Sequence, residues 1–204
     1  MITRRISPVA FYAVLFVAGG CSGRPGRLLP PGIPAEAGQE AVTKYDVNGN
    51  GAIDGDELSK VPALKATLKR VDKNGDGQVS AEEISERIAA WQKSKLAITR
   101  SIVTLRRDGR PLANATVTIV PESFLGPSVK AAKGTTDATG SANLQISSDP
   151  DERGVHLGYY RVEVTKSGPD GKEQLPARFN SETEHGTEII GDAADMFTLD
   201  LTGN

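Results

Sequence analysis

Two twelve-residue segments, Asp46–Glu57 and Asp72–Glu83, constrain this chain more than any other feature. Each places Asp or Asn at positions 1, 3 and 5: Asp46, Asn48 and Asn50 in the first, Asp72, Asn74 and Asp76 in the second. Position 6 is glycine in both (Gly51, Gly77), position 9 carries a side-chain oxygen (Asp54, Ser80) and position 12 is glutamate (Glu57, Glu83). A glycine at the sixth place takes a sharp turn that a Cβ would hinder. The turn brings the preceding oxygens to one side, and position 7 (Ala52, Gln78) is then free to offer its main-chain carbonyl. Every donor in such a loop is oxygen. That is the chemistry of a hard cation, which takes six to eight oxygens at about 2.3–2.6 Å.

The spacing resembles the EF-hand signature, and the second match begins 26 residues after the first (72 − 46). The resemblance implies two calcium ions. One would be held by Asp46, Asn48, Asn50, Ala52, Asp54 and Glu57, the other by Asp72, Asn74, Asp76, Gln78, Ser80 and Glu83. It also implies a short antiparallel bridge between the loops through their position-8 residues, Ile53 and Val79. Flanking helices are legible independently. Residues 39–45 lead into the first loop. Pro62 suits a first helical position, where a missing N–H costs nothing. Leu64, Leu68 and Val71, and later Ile84, Ile88 and Trp91, recur at i, i+4, i+7. Ser80 and Glu83 make a capping box. Trp91, on that stripe, is expected in packing. Only 14 residues, Leu58 to Val71, separate the loops, so the first exit helix should be short, about two turns. Calcium sensors expose a Met-rich groove. Here the methionines are Met1 and Met196, far from the loops, which points to calcium in a structural role.

The N-terminus reads as an export signal. Arg4 and Arg5 precede an apolar run of ten residues, Val9 to Ala18, followed by Gly19-Gly20. The run is shorter than the roughly 20 residues a membrane-spanning helix needs. Cys21, the chain's single cysteine, follows at once and has no internal disulfide partner. Ala18-Gly19-Gly20-Cys21 resembles a bacterial lipobox. This implies a leader over residues 1–20, lipidation of Cys21 and a membrane partner, with Ser22 favouring the outer membrane of a two-membrane cell. Residues 21–38 are rich in Pro and Gly and read as a tether. Envelope proteins or polysaccharide are candidate further partners. With 24 Lys+Arg against 26 Asp+Glu, the chain lacks the basic excess of a nucleic-acid binder.

Beyond a boundary near Ser94–Ala97 the pattern changes. Residues 98–105, 115–120, 141–147, 158–166 and 195–201 alternate and are β-branched, as strands are. Asp108-Gly109 reads as a hairpin turn between the first two, and Asp137 to Gly140 as another turn. The stretches Asp108 to Pro121, Gly134 to Gly140 and Gly158 to Val164 resemble the carboxypeptidase-regulatory-like, transthyretin-like domain. That implies a seven-stranded, usually non-catalytic accessory sandwich over about residues 99–202. The expected fold is therefore multidomain: an all-α EF-hand pair over 39–96, then an all-β sandwich of transthyretin or immunoglobulin type over 97–204. No catalytic set is expected. His156 and His185 have no metal-pair spacing, and no nucleophile elbow or phosphate-binding loop occurs. Two rival readings stand beside this one. One is a dockerin-like adhesion or assembly module, although dockerins favour Asp at position 12 and lack the entering helix. The other is an enzyme whose site is assembled from distant residues.

Overall fold

The structure, a computed structural model, describes residues 28–146, 153–192 and 195–202. The expected leader over 1–20, Cys21 and the first part of the tether lie outside the described residues. Among the described residues no helix is long and apolar enough to cross a membrane.

Three helices come first: α1 (Ala37–Tyr45), α2 (Pro62–Val71) and α3 (Ala81–Ser94). Two short strands, β1 (Ala52–Ile53) and β2 (Val79–Ser80), pair antiparallel, with Ile53 opposite Val79. Pro62 is the first residue of α2, as its fixed φ allows. Ser80 caps α3 with both halves of the capping box in place. α1 begins inside the stretch read as tether. Ala37 and Gly38 are buried there, and a Cβ on Gly38 would strike the Ala81 carbonyl and the Ser85 hydroxyl of α3. The preceding residue Ile33 is also buried, and its carbonyl lies 3.5 Å from the Gln92 amide nitrogen. The last part of the tether is thus laid down on α3. The expected two-turn exit helix after the first loop is shorter still, a single 3-10 turn over Glu57–Lys60. Val61 and Pro62 redirect the chain before a second turn can form.

The β region forms a sandwich of two four-stranded sheets. In the first, β3 (Ser101–Arg107) pairs with β10 (Asp195–Leu201) in parallel and with β4 (Arg110–Pro111) and β7 (Ser141–Leu144) antiparallel. The second has the order β6-β5-β8-β9, from β6 (Ala132–Thr135), β5 (Thr116–Pro121), β8 (Gly158–Thr165) and β9 (Gly186–Ile189), all antiparallel. Alternation buries Val103 and Leu105 of β3 and Val117, Ile119, Val162 and Val164 of the facing sheet. The sandwich has eight strands among the described residues, against the seven that the resemblance implied. The Asp108-Gly109 turn is present, with both residues at positive φ (51° and 77°) as a type I′ turn requires. It does not join the two strands first read around it. It returns β3 to the two-residue β4, and β5 crosses to the other sheet. The reason is that β3 already has neighbours on both sides, β10 and β7.

The helices cover the outer face of the second sheet at its β8–β9 end. Tyr159 and Glu188, register partners across β8 and β9, both point there. Tyr159 meets Trp91 of α3 edge-on, ring centroids 4.8 Å apart. Gly186 lets the N-terminus of α2 come close, because a Cβ there would collide with the backbone of Pro62 and Ala63. The buried apolar residues of helices and sandwich form one continuous cluster.

At the same junction Glu122, just past β5, is 2 % exposed, and its Oε1 has no hydrogen-bond partner. Burial pushes its carboxyl up to about 7, and Arg161, the Ala63 amide, Lys44 and the Tyr45 hydroxyl draw it back only in part. A folded value above the unfolded one means that the folded state holds the proton more tightly. This contribution to stability is full below about pH 4.3 and is lost as pH rises through about 7. Glu122→Gln should therefore gain on the wild type between about pH 5 and about pH 8, by up to roughly 3 kcal/mol. Denaturant unfolding of both proteins at the two pH values checks this. Parallel pH profiles would contradict it.

Candidate metal centre

The two loops are built on the same hydrogen-bond frame. α1 delivers Asp46, whose Oδ1 accepts the Gly49 N–H at 2.6 Å and whose Oδ2 accepts the Gly51 N–H at 2.8 Å. α2 delivers Asp72, whose oxygens accept Gly75 N–H at 2.6 Å and Gly77 N–H at 2.9 Å. Position 3 repeats the pattern: Asn48 Oδ1 accepts the Asn50 N–H and Asn74 Oδ1 the Asp76 N–H, both at 2.9 Å. So does position 5, where Asn50 Oδ1 accepts the Ala52 N–H at 3.0 Å and Asp76 Oδ1 the Gln78 N–H at 2.9 Å. Gly51 (φ 88°) and Gly77 (φ 81°) sit in the left-handed region with open space around them, so the demand at position 6 is backbone conformation rather than room.

The position-12 glutamates fold back over their loops. Glu57 Oε1 accepts the Val47 and Asn48 N–H groups at 2.7 and 3.0 Å, and Oε2 the Asp54 N–H at 3.2 Å. Glu83 accepts the Lys73 N–H at 2.9 Å and the Ser80 N–H at 3.0 Å. Both are more than nine-tenths buried (7 % and 8 % exposed), which is rare for glutamate without a partner. Burial pushes the Glu57 carboxyl up, but the three N–H groups outweigh it and hold it below its ordinary value. Asp54 accepts both asparagine side-chain amides, Asn48 Nδ2 at 3.4 Å and Asn50 Nδ2 at 2.8 Å. Ser80 donates its hydroxyl to Glu83 at 3.0 Å, so position 9 of the second loop doubles as the cap of α3.

All twelve candidate residues lie in these two loops, which stand side by side through the β1–β2 pair. Its inward residues Ile53 and Val79 are fully buried. The donors are carboxylate, carboxamide, hydroxyl and main-chain oxygens. Among the described residues no group of three or more His, Cys, Asp and Glu side chains gathers to hold a metal by itself. The loops therefore depend on their Asn and carbonyl oxygens, and this donor set fits calcium in preference to a metal that seeks nitrogen or sulfur. The histidines stand apart. His156 Nδ1 accepts the Lys130 N–H at 3.1 Å, and His185 stacks on Phe179, ring centroids 5.8 Å apart. Burial lowers the pKa of both.

Two charged residues with no motif around them, Glu122 and Glu188, turn out to be buried against the helices. The one available signal was an acid inside the β-branched run Gly186-Thr-Glu-Ile-Ile190.

Residues 43–62 and 64–88 match the family model described as EF hand. The match supports an EF-hand pair and calcium binding by this region. No curated protein matches the chain. Among solved structures, the chain is similar to a D312A variant of BcpA, the major pilin subunit of Bacillus cereus, at 13 % identity and a TM-score of 0.30, over 52 % of this chain and 30 % of that one. It is also similar to chlorocatechol 1,2-dioxygenase from Pseudomonas putida at 16 % identity and a TM-score of 0.25, over 50 % of this chain and 58 % of that one. The chain spans less than two thirds of either.

Proposed function

We propose that this is an exported bacterial lipoprotein, anchored through Cys21, whose EF-hand pair binds two calcium ions in a mainly structural role beside a carboxypeptidase-regulatory-like sandwich without catalytic activity. The observation that carries the calcium reading is the repeated frame of the loops. Asp46, Asn48, Asn50 and Glu57 hold the same main-chain groups as Asp72, Asn74, Asp76 and Glu83. Gly51 and Gly77 both take the left-handed turn, so the two loops share one backbone winding.

The structural role is supported by the way the helices are held. A sensor must open its helices. Here Trp91 of α3 is 4 % exposed against Tyr159, and the start of α2 abuts Gly186. The described methionine, Met196, lies on β10. The entering helix α2 and the glutamates at position 12 favour an EF-hand pair over a dockerin-like module. The anchor rests on the sequence around Cys21.

Calorimetric titration of the chain should show two calcium sites. Glu57→Gln and Glu83→Gln should each remove one of them, and the double variant both. No heat above buffer at about millimolar calcium, where weak extracellular modules still bind, would contradict the reading. For the anchor, growth with a fatty-acid probe should label the wild type and leave Cys21→Ala unlabelled. Equal labelling of the two would exclude Cys21 as the attachment point.

A further inference from the structure

The side chain of Glu188, on β9, is fully buried and belongs to neither loop. Its Oε1 accepts the Arg87 Nε–H at 2.5 Å and the Trp91 Nε1–H at 3.1 Å. Its Oε2 lies 3.6 Å from the Arg70 guanidinium. Arg87 and Trp91 belong to α3, which leaves the second loop, and Arg70 belongs to α2, which enters it. Arg70 stands two residues before Asp72, and Arg87 four after Glu83. One carboxylate of the sheet thus ties together the two helices that frame the second loop. The α3 side of the tie is hydrogen-bonded and the α2 side is an ion pair, and Tyr159 closes the cluster against the Trp91 ring. Among the described residues, the hydrogen bonds and ion pairs of Glu188 go to α2 and α3, and none goes to α1 or to the Glu57–Lys60 turn, the elements that frame the first loop.

We propose that Glu188 is a positioning residue for calcium at the second loop: through it the sandwich fixes the spacing of α2 and α3 and raises that loop's affinity. This rests on the reading that the second loop binds calcium. Coupling is reciprocal, so loop occupancy and docking of the helices on the sandwich strengthen each other. Removing the carboxylate would leave two cations facing a buried gap and loosen both helices together.

The test uses the full chain. In a Glu57→Gln background, where the second loop alone is read, adding Glu188→Ala should weaken calcium binding about ten-fold. Glu188→Gln, which keeps an acceptor for Trp91 and Arg87, should recover part of the loss. In a Glu83→Gln background the same Glu188→Ala should weaken the first loop by less than about two-fold. Trp91, the chain's single tryptophan, supplies a readout apart from affinity. Its emission should shift on calcium addition in the wild type. With chelator present, its thermal unfolding transition should fall to lower temperature in Glu188→Ala. Should that variant fail to fold, Arg70→Gln, at a side chain 55 % exposed, carries the test with an expected loss of about two- to three-fold. Equal losses at both loops, or none at the second, would overturn the inference while leaving the calcium reading intact. A Glu57→Gln chain that takes up no calcium would overturn both.

Discussion

A carboxylate taken out of water is costly unless opposite charge and hydrogen bonds meet it. Glu188 finds both only because α2 and α3 lie across the sheet that carries it. The docking of α2 and α3 on β9 meets that requirement. β9 is a short strand at the edge of its sheet, and the outward side of β8 and β9 would otherwise present the Tyr159 ring and an acid to solvent. The helices in turn have apolar faces, Leu64 of α2 and Ile84, Ile88 and Trp91 of α3, that a pair of calcium loops cannot cover alone. Each part supplies the surface that the other lacks. Gly186 and Gly38 permit the close approaches this takes, one between β9 and α2 and the other between α1 and α3.

The loops were legible in the sequence because their signature is local. Oxygen at 1, 3, 5 and 12 and glycine at 6 fix a backbone path within twelve residues, and the hydrogen bonds of Asp46 and Asp72 follow that path without distant help. Strands β3, β5, β8 and β10 were legible through alternation. β4, β6 and β9 were not. Ala132-Lys-Gly-Thr135 and Gly186-Thr-Glu-Ile189 are too short and too polar for a period to show, and they become strands because β5 and β8 offer them open edges. The hairpin at Asp108-Gly109 was read correctly as a turn and incorrectly in its partner, since turn chemistry says nothing of which sheet the next strand joins. The junction was illegible altogether. Arg87 and Glu188 are 101 residues apart, and neither sits in a pattern that names the other. Trp91 was recognisable as a packing residue from its helical stripe, but not as a donor to a buried acid.

The same contrast separates what the loops do from what the molecule does. In the loops, backbone N–H groups meet the carboxylates at positions 1 and 12. Outside the loops, Trp91 packs on Tyr159 and the start of α2 abuts Gly186, so the helices rest directly on the sandwich.

The central claim is that both loops take calcium through this frame, and the amides at position 6 report on it directly. Gly51 and Gly77 donate to Asp46 Oδ2 and Asp72 Oδ2, so a cation on those carboxylates must change both hydrogen bonds. In a calcium titration of the nitrogen-15-labelled chain followed by amide NMR, the account predicts that the Gly51 and Gly77 resonances both move and both saturate. Two glycine resonances that stay in place at about millimolar calcium would contradict it.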